Sequence, residues 1–462
     1  MSVTAYQFLF DLTVVVALLT LMRNVAYWWR MWRQAARLHR ERSDVHTIAS
    51  GLEGAIMIHY VIPAFQETEA LPATFAALRN SIEASRYEAT ITVVTSVHDE
   101  PRFPGERRTR VVAEELCTGI PYARVLIDHA AAPSMAASFN TGIHTIASEE
   151  AGREKMTFVA VYNADSTATL DSVQALGDTL LARGLPPLAQ LNFSSLRNVS
   201  TMTGIGGWYS LGAAYYQTRW ALGFEIDMHR RNSATRRRGP LGHSYHLKGH
   251  GTVMRLDIAN DMQGFSTETP CEDLELGFRL SLRDTPVHVV PILEDTESPV
   301  KASAVIAQKR YWFSGMVDVV NFHRLRPEDK RAQPWRFELQ RAVSIYRSAG
   351  CFLLAPIPYW FLSISAFLLG QPIFALLPVI NAIMSAWLIR RVLHQTSPTR
   401  PRLPRSTILT LPAAILVWSM TRNVGPLMYL WSAARNTDRS ARMRAVHRQH
   451  IEKSAESETT AY

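Results

Sequence analysis

The chain has 462 residues, a formal net charge of +9, 47% hydrophobic residues and only 19% charged ones. That charged share lies below the roughly 25% usual in soluble proteins, and the length leaves room for a large core plus a membrane part. The positive charge gathers beside apolar stretches, as at Arg30, Arg33, Arg37 and Arg40 or at Arg400, Arg402 and Arg405, which argues for a membrane surface and against nucleic acid as the partner.

From the N-terminus, Ala5 to Trp29 is apolar apart from Asp11 and Arg23 and ends in Tyr27, Trp28, Trp29 and Trp32. This is long enough to span a bilayer, with aromatic residues placed for the interface. No small-residue cleavage site follows, so an uncleaved transmembrane anchor is expected over 1–35. Basic residues follow this segment and none precedes it, which predicts an outside N-terminus and an inside middle domain.

Over 50–300 short apolar runs alternate with helical ones. Ile56–Ile62, Ile91–Thr95, Arg124–Ile127 and Thr157–Tyr162 read as strands and Thr68–Ser81 as a helix. This order predicts an α/β domain with a mostly parallel sheet, whose ligands bind at the carboxyl ends of the strands. Residues 301–345 read as interfacial, amphipathic helices. Between Arg347 and Arg390 there are 42 residues without one Asp, Glu, Lys, Arg or His. That is enough for two spans, turning at Gly370-Gln371-Pro372. Ser406 to Ala434 is a further apolar stretch with Arg422 at its middle, read either as one span or as a hairpin, and 346–434 is taken as the C-terminal transmembrane part. A charged cytoplasmic tail follows over 435–462. The expected localisation is the plasma (inner) membrane, multi-pass, with the catalytic domain cytoplasmic. Cys117, Cys271 and Cys351 show no pairing pattern, which fits a reducing compartment.

Four segments carry candidate chemistry. The first strand ends in Pro63-Ala64-Phe65-Gln66-Glu67. The fourth ends in Asn163-Ala164-Asp165, where a strand-end carboxylate suits a divalent cation that bridges a diphosphate. Glu272-Asp273 opens a helix, and an ionised Asp so placed can act as general base on a hydroxyl. Gln308-Lys309-Arg310-Tyr311-Trp312 precedes the amphipathic stretch. Taken singly, these also read as a proline turn, an Asx turn, a helix cap and a surface anchor. Arg230, Arg231, Arg236, Arg237 and Arg238 form a basic cluster that reads better as a solvated loop than as an acceptor contact. His243, His246 and His250 fit no standard zinc spacing.

In this order the four segments resemble the membrane-bound family-2 glycosyltransferases, the group of cellulose, chitin and hyaluronan synthases. The resemblance spans roughly residues 56–315 and implies a GT-A, Rossmann-like nucleotide-sugar domain between membrane helices. It implies donor contacts at Pro63, Glu67, Asn140, Asn163 and Asp165, with Asp165 on Mg²⁺ or Mn²⁺. Asp273, beside Glu272, is implied as the catalytic base, and Gly249, His250, Gln308, Arg310 and Trp312 as the acceptor side. The implied reaction is inverting transfer from a nucleotide-sugar, UDP-linked by family weight, to a growing polysaccharide or lipid-linked acceptor. Single-sugar transfer to a lipid and a non-catalytic membrane partner are the alternatives. Membrane lipids and a partner subunit are further expected contacts. The sequence departs from the family pattern at Thr95-Ser96, where paired aspartates are usual, and at Asn163, Met135 and Tyr311.

Overall fold

The computed structural model describes residues 2–49, 51, 53–101, 104–131, 134–152, 155–234, 247–396 and 405–435. Arg236, Arg237, Arg238, His243, His246, Arg400, Arg402 and the tail from 436 lie outside them.

One helix, α1 (Val3–Ala49), opens the chain. The α/β part then runs β1 (Ile56–Ala64), α2 (Ala70–Glu83), β2 (Glu88–Ser96), α3 (Thr109–Cys117), β3 (Ala123–Asp128), α4 (Met135–Glu150), β4 (Met156–Val161), β5 (Ser166–Thr167), α5 (Ser172–Ala182) and β6 (Leu188–Ser194). Next come α6 (Gly204–Trp220), a π turn at Ala221–Glu225, α7 (Ile226–Ala234), β7 (Thr252–Arg255), α8 (Leu256–Asp261), α9 (Glu272–Leu282) and β8 (Val287–Thr296). Among the described residues nine helices finish it, interrupted by a 3₁₀ turn and a second π turn: α10 (Ala302–Asp318), α11 (Phe322–Leu325), α12 (Pro327–Ala332), α13 (Pro334–Ile345), α14 (Cys351–Leu354), α15 (Ile357–Leu369), α16 (Ile373–Thr396), α17 (Arg405–Thr421) and α18 (Val424–Arg435).

The eight strands form one sheet in the order β3-β2-β1-β4-β7-β6-β8-β5. β1, β2, β3 and β4 are mutually parallel, as expected, with Val61 opposite Val161 and Thr95 placed beside Ile127. β7 enters antiparallel between β4 and β6. β1 is buried along nearly its whole length, because helices cover both faces of the sheet. The period of two sorts its side chains: Ile58, Tyr60 and Ile62 pack with Leu71, Phe75 and Leu176 under α2 and α5. Val61 packs with Phe139, Ile143 and Leu276 under α4 and α9.

The first helix runs on past residue 35, the limit expected of the anchor. At 1.5 Å per residue α1 is a rod about 70 Å long, and its second half belongs to the α/β part: Arg42 pairs with Asp171 and His46 Nδ1 lies 2.8 Å from Asp178. Its first half packs Ala17 against Leu362, Ala366 and Phe374 of α15 and α16. Gly370 closes α15 at φ +64°, at the expected turn. The apolar stretch around Arg422 is neither one helix nor a closed hairpin. It breaks between Thr421 and Val424, and α17 packs on α6 while α18 packs on α10. Stretches within Val3–Ala49, Phe352–Leu369 and Ile373–Val392 are long and apolar enough to cross a membrane. Their outer faces expose Phe8, Leu18, Leu19, Phe367, Ile373 and Trp387.

α6 and α17 meet through Gly212, where a Cβ would fall 2.3 Å from the Ala414 carbonyl oxygen. A methyl there must push backbone, so Gly212→Ala should cost about 1–3 kcal/mol and lower the melting temperature in detergent. An unchanged melting temperature would show that this contact is looser than described.

Candidate active site

The carboxyl ends of β1 and β4 and the segment before β7 converge on one edge of the sheet. After β4, Asn163-Ala164-Asp165 turns back toward β5 and is held from three sides. The Ala164 carbonyl accepts from Thr74 Oγ1 at 2.6 Å. The Asn163 N–H donates to His250 Nδ1 at 3.4 Å, and Tyr162 OH donates to Glu294 Oε2 at 3.0 Å. His250 Nε2 lies 3.0 Å from the same Glu294 oxygen, so a neutral ring protonated at Nε2 satisfies both contacts. Glu294, Tyr162 and His250 are all buried.

The Asn163 side-chain oxygen is buried and has no hydrogen-bond partner. A buried acceptor in that state calls for a donor or a cation. Asp165, two residues on, keeps solvent contact at the mouth of the site. Protein crowding around it raises its pKa above the ordinary carboxylate value, an effect opposed by nearby His250 and moderated by the water that reaches it. An amide oxygen and one carboxylate fit a hard divalent ion that takes its remaining ligands from water and phosphate. Among the described residues no group of three His, Cys, Asp or Glu could hold a metal by itself.

Asp273 lies in the first turn of α9. Its Oδ1 accepts the Leu274 N–H at 2.7 Å and its Oδ2 accepts the Gly249 N–H at 2.8 Å. Gly249 and His250 are neighbours in the chain, so one loop touches both the Asp273 carboxylate and the strand-end Asn163. The loop is pinned at Gly251, φ +75°, whose N–H donates to the Val161 carbonyl and whose missing Cβ would strike Leu191. Glu272 is buried, and burial together with the Asp273 charge pushes its pKa up to about 8. Tyr311 of α10 donates to the Pro270 carbonyl at 2.8 Å, and Gly315 lies against Cys271. The helix bearing Gln308 to Trp312 is thus packed onto the loop that leads to Asp273.

The structure gives several of the expected site residues partners within the protein. Both ends of the Asn140 amide bind the Phe265 backbone, at 2.8 Å each, so Asn140 holds the loop before α9. Both His250 ring nitrogens are used within the protein, on Asn163 and Glu294. Arg310 reaches away to Ser432 of α18 at 3.0 Å. One face of Trp312 is covered by Lys309 Nζ, 3.7 Å from the ring centroid, and Gln308 accepts from the same amine. Burial pulls the Lys309 pKa well below the ordinary lysine value. Pro63 is the penultimate residue of β1, and the Glu67 N–H donates to Thr109 Oγ1. Of the basic cluster, Arg230 and Arg231 lie on α7, not in a loop, and pair with Glu41 and Asp227.

Where paired aspartates were missing after β2, the structure puts Asp99. It is buried and accepts the Gln66 N–H at 3.0 Å and the Arg110 N–H at 3.2 Å, tying the β1 loop to α3. Asp128 likewise holds Ser138 and Thr141 of α4. The sequence reading gave no role to either residue, nor to Glu294. A carboxylate inside the apolar run Val289 to Thr296 was the available signal.

Comparison with known proteins adds an identification. The model of glycosyl transferase family group 2 matches residues 188–389. No curated protein matches. Among solved structures, the chain is similar to the mannosyltransferase PcManGT of Pyrobaculum calidifontis, in complex with GDP-Man and Mn²⁺, at 12% identity and TM-score 0.42 over 87% of this chain and 99% of that one. It is also similar to S. aureus TarS 1–349 in complex with UDP, at 12% identity and TM-score 0.36 over 80% of this chain and 91% of that one. The chain is a glycosyltransferase.

The Glu272 environment makes a prediction about pH. A carboxyl group whose folded pKa is raised is unpenalised below about pH 4.5. It loses stability progressively as pH climbs toward its folded value near 8. Glu272→Gln removes that loss. The melting temperature of the variant relative to the parent should therefore rise between pH 5 and pH 9, by about 2–4 °C for each kcal/mol recovered. A difference independent of pH would contradict the assignment.

Proposed function

We propose that this glycosyltransferase is membrane-embedded and transfers one sugar, with inversion, from a nucleoside diphosphate sugar to an acceptor held at the membrane. One observation carries the reading: the consecutive residues Gly249 and His250 bind the Asp273 carboxylate and the Asn163 backbone respectively. A base and a cation-binding turn are thereby held in fixed relation.

Asp165 and the Asn163 side-chain oxygen would hold Mg²⁺ or Mn²⁺. Such an ion, when bound, stabilises negative charge on a departing diphosphate. Asp273 accepts the proton of the acceptor O–H, whether of an alcohol or of a phosphate monoanion, and the oxygen so freed attacks the anomeric carbon. The bond from that carbon to the diphosphate oxygen breaks on the opposite side, and its electron pair leaves with the nucleoside diphosphate. The Gly249 N–H keeps the Asp273 carboxylate oriented through the approach. Neutral Glu272 beside it avoids a second charge at the same place.

Single addition is favoured over chain elongation because Arg310 faces α18 and Lys309 covers Trp312. The residues that would grip a polymer are turned to structural use. The membrane part of the proposal is supported by the three long apolar stretches and their exposed apolar faces. They support a multi-pass protein of the inner membrane with its α/β part on the basic, cytoplasmic side.

The test uses purified protein in lipid with UDP-, GDP- and dTDP-sugars and Mg²⁺ or Mn²⁺, following released nucleoside diphosphate. Asp273→Asn should lower turnover about 10²–10⁴-fold with folding intact, and Asp165→Ala should abolish the metal dependence. Full activity in Asp273→Asn would remove the base assignment. Absence of release from every donor would favour a non-catalytic membrane partner.

A further inference from the structure

Two arginines where the helices meet have aromatic neighbours but no acidic ones. Arg219, at the end of α6, lies 4.4 Å over the Tyr27 ring and donates to Ser385 Oγ at 3.2 Å. Arg422, in the break between α17 and α18, lies 4.8 Å over the Tyr216 ring and is only 9% exposed. The Nε–H of each is buried without a hydrogen-bond partner. Tyr216 and Arg219 are three residues apart on α6, on one helix face, and Tyr27 is within electrostatic reach of both guanidinium groups. The two cations therefore belong to one aromatic cluster around Tyr27 and Tyr216.

Among the described residues neither arginine forms an ion pair. Glu225, the acid closest to them in the chain, pairs with Lys248. Burying an uncompensated guanidinium is costly, and the usual compensation is an anion with oxygens for its planar fork of N–H groups. Phosphoryl oxygens match that fork. The level is that of lipid headgroups: Tyr27 and Trp28 belong to the aromatic end of the apolar stretch, and Ser385 binds both Arg219 and, at 3.1 Å, Trp28 Nε1. Arg219 is also linked to the catalytic edge through the chain. The π turn Ala221–Glu225 follows Arg219, Glu225 pairs with Lys248, and Gly249 binds Asp273.

We propose that Arg219 and Arg422 bind the phosphoryl group of a lipid phosphate that serves as the acceptor, delivering it from the membrane toward Asp273. This rests on the reading above of transfer to a membrane-held acceptor. It assigns that acceptor an anionic head and a position, neither of which the donor site specifies.

Binding is measured with full-length protein in detergent micelles and no sugar donor, so the outcome does not depend on turnover. The probes are labelled polyisoprenyl phosphate, the matching polyisoprenol without phosphate, and phosphatidylglycerol, with inorganic phosphate as competitor. Retention of the polyisoprenyl phosphate well above the polyisoprenol is expected, falling at least about tenfold, or 1.4 kcal/mol, in Arg219→Gln and in Arg422→Gln. Arg219→Lys and Arg422→Lys keep the charge, should retain part of the binding, and carry the test if either glutamine variant misfolds. Equal retention of phosphate and alcohol, or glutamine variants that bind normally, would overturn the site. Equal binding of phosphatidylglycerol would overturn the acceptor assignment in favour of a bulk-lipid contact. Displacement by inorganic phosphate at physiological concentration would overturn the lipid requirement. Loss of donor turnover with phosphate-selective lipid binding intact would fault the catalytic reading and leave this site standing.

Discussion

The hydrogen bond from the Gly249 N–H to Asp273 Oδ2, 2.8 Å long, is the constraint around which the site is organised. It fixes a carboxylate on α9 to a loop that enters the sheet. The same loop continues through His250 into the turn after β4 and through Gly251 onto the β4 and β6 backbones. Only a residue without a side chain fits at Gly251, where φ is positive and Leu191 lies against the missing Cβ. Behind the loop, Glu294 receives both Tyr162 and His250 and so fixes the ring that supports Asn163. The remaining oxygen of Glu294 is buried without a partner. A tightly held polar group next to a deliberately open acceptor is what a preorganised electrostatic site requires.

The α/β part and the helices share packing, not merely a linker. α1 contributes Met31, Ala35 and Leu38 to a cluster with Leu211 and Tyr215 of α6, Ala386 and Ile389 of α16, Ala414 of α17, and Leu293 of β8. Tyr215 OH also donates to the Ala386 carbonyl at 2.7 Å. β8 carries both Leu293, which faces this cluster, and Glu294, which faces the catalytic loop, because adjacent strand residues point to opposite sides. Strain on the helices therefore reaches the site within one residue. On the other flank, Gly425 brings α18 against the Ile306 and Arg310 backbone of α10.

Much of this could be read from the residues before any coordinates. β1 to β4, their parallel order and the strand-end turns followed from apolar runs of the right length, and Gly370 marked its turn. β6, β7 and β8 did not. β7 has only four residues and owes its place to pairing with strands more than 60 residues away, which no local pattern encodes. The motif residues were found, but their directions were not. Asn140, His250 and Arg310 lie on the expected segments yet bind Phe265, Glu294 and Ser432, partners fixed only by the tertiary fold. The length of α1 was underread because its second half is polar on the outside and buried on one stripe, which resembles a loop-flanking basic segment when seen as composition alone.

The account stands on the claim that the turn at Asn163-Ala164-Asp165 and the carboxylate of Asp273 face one shared space. The most direct measurement is an experimental structure of the full chain with Mn²⁺ and a nucleoside diphosphate, with the metal located by its anomalous signal. The account predicts Mn²⁺ bound by Asp165 and the Asn163 side-chain oxygen, with the diphosphate between it and the loop at Gly249. Mn²⁺ held elsewhere, with Asn163 turned away and Asp273 far from the diphosphate, would contradict it.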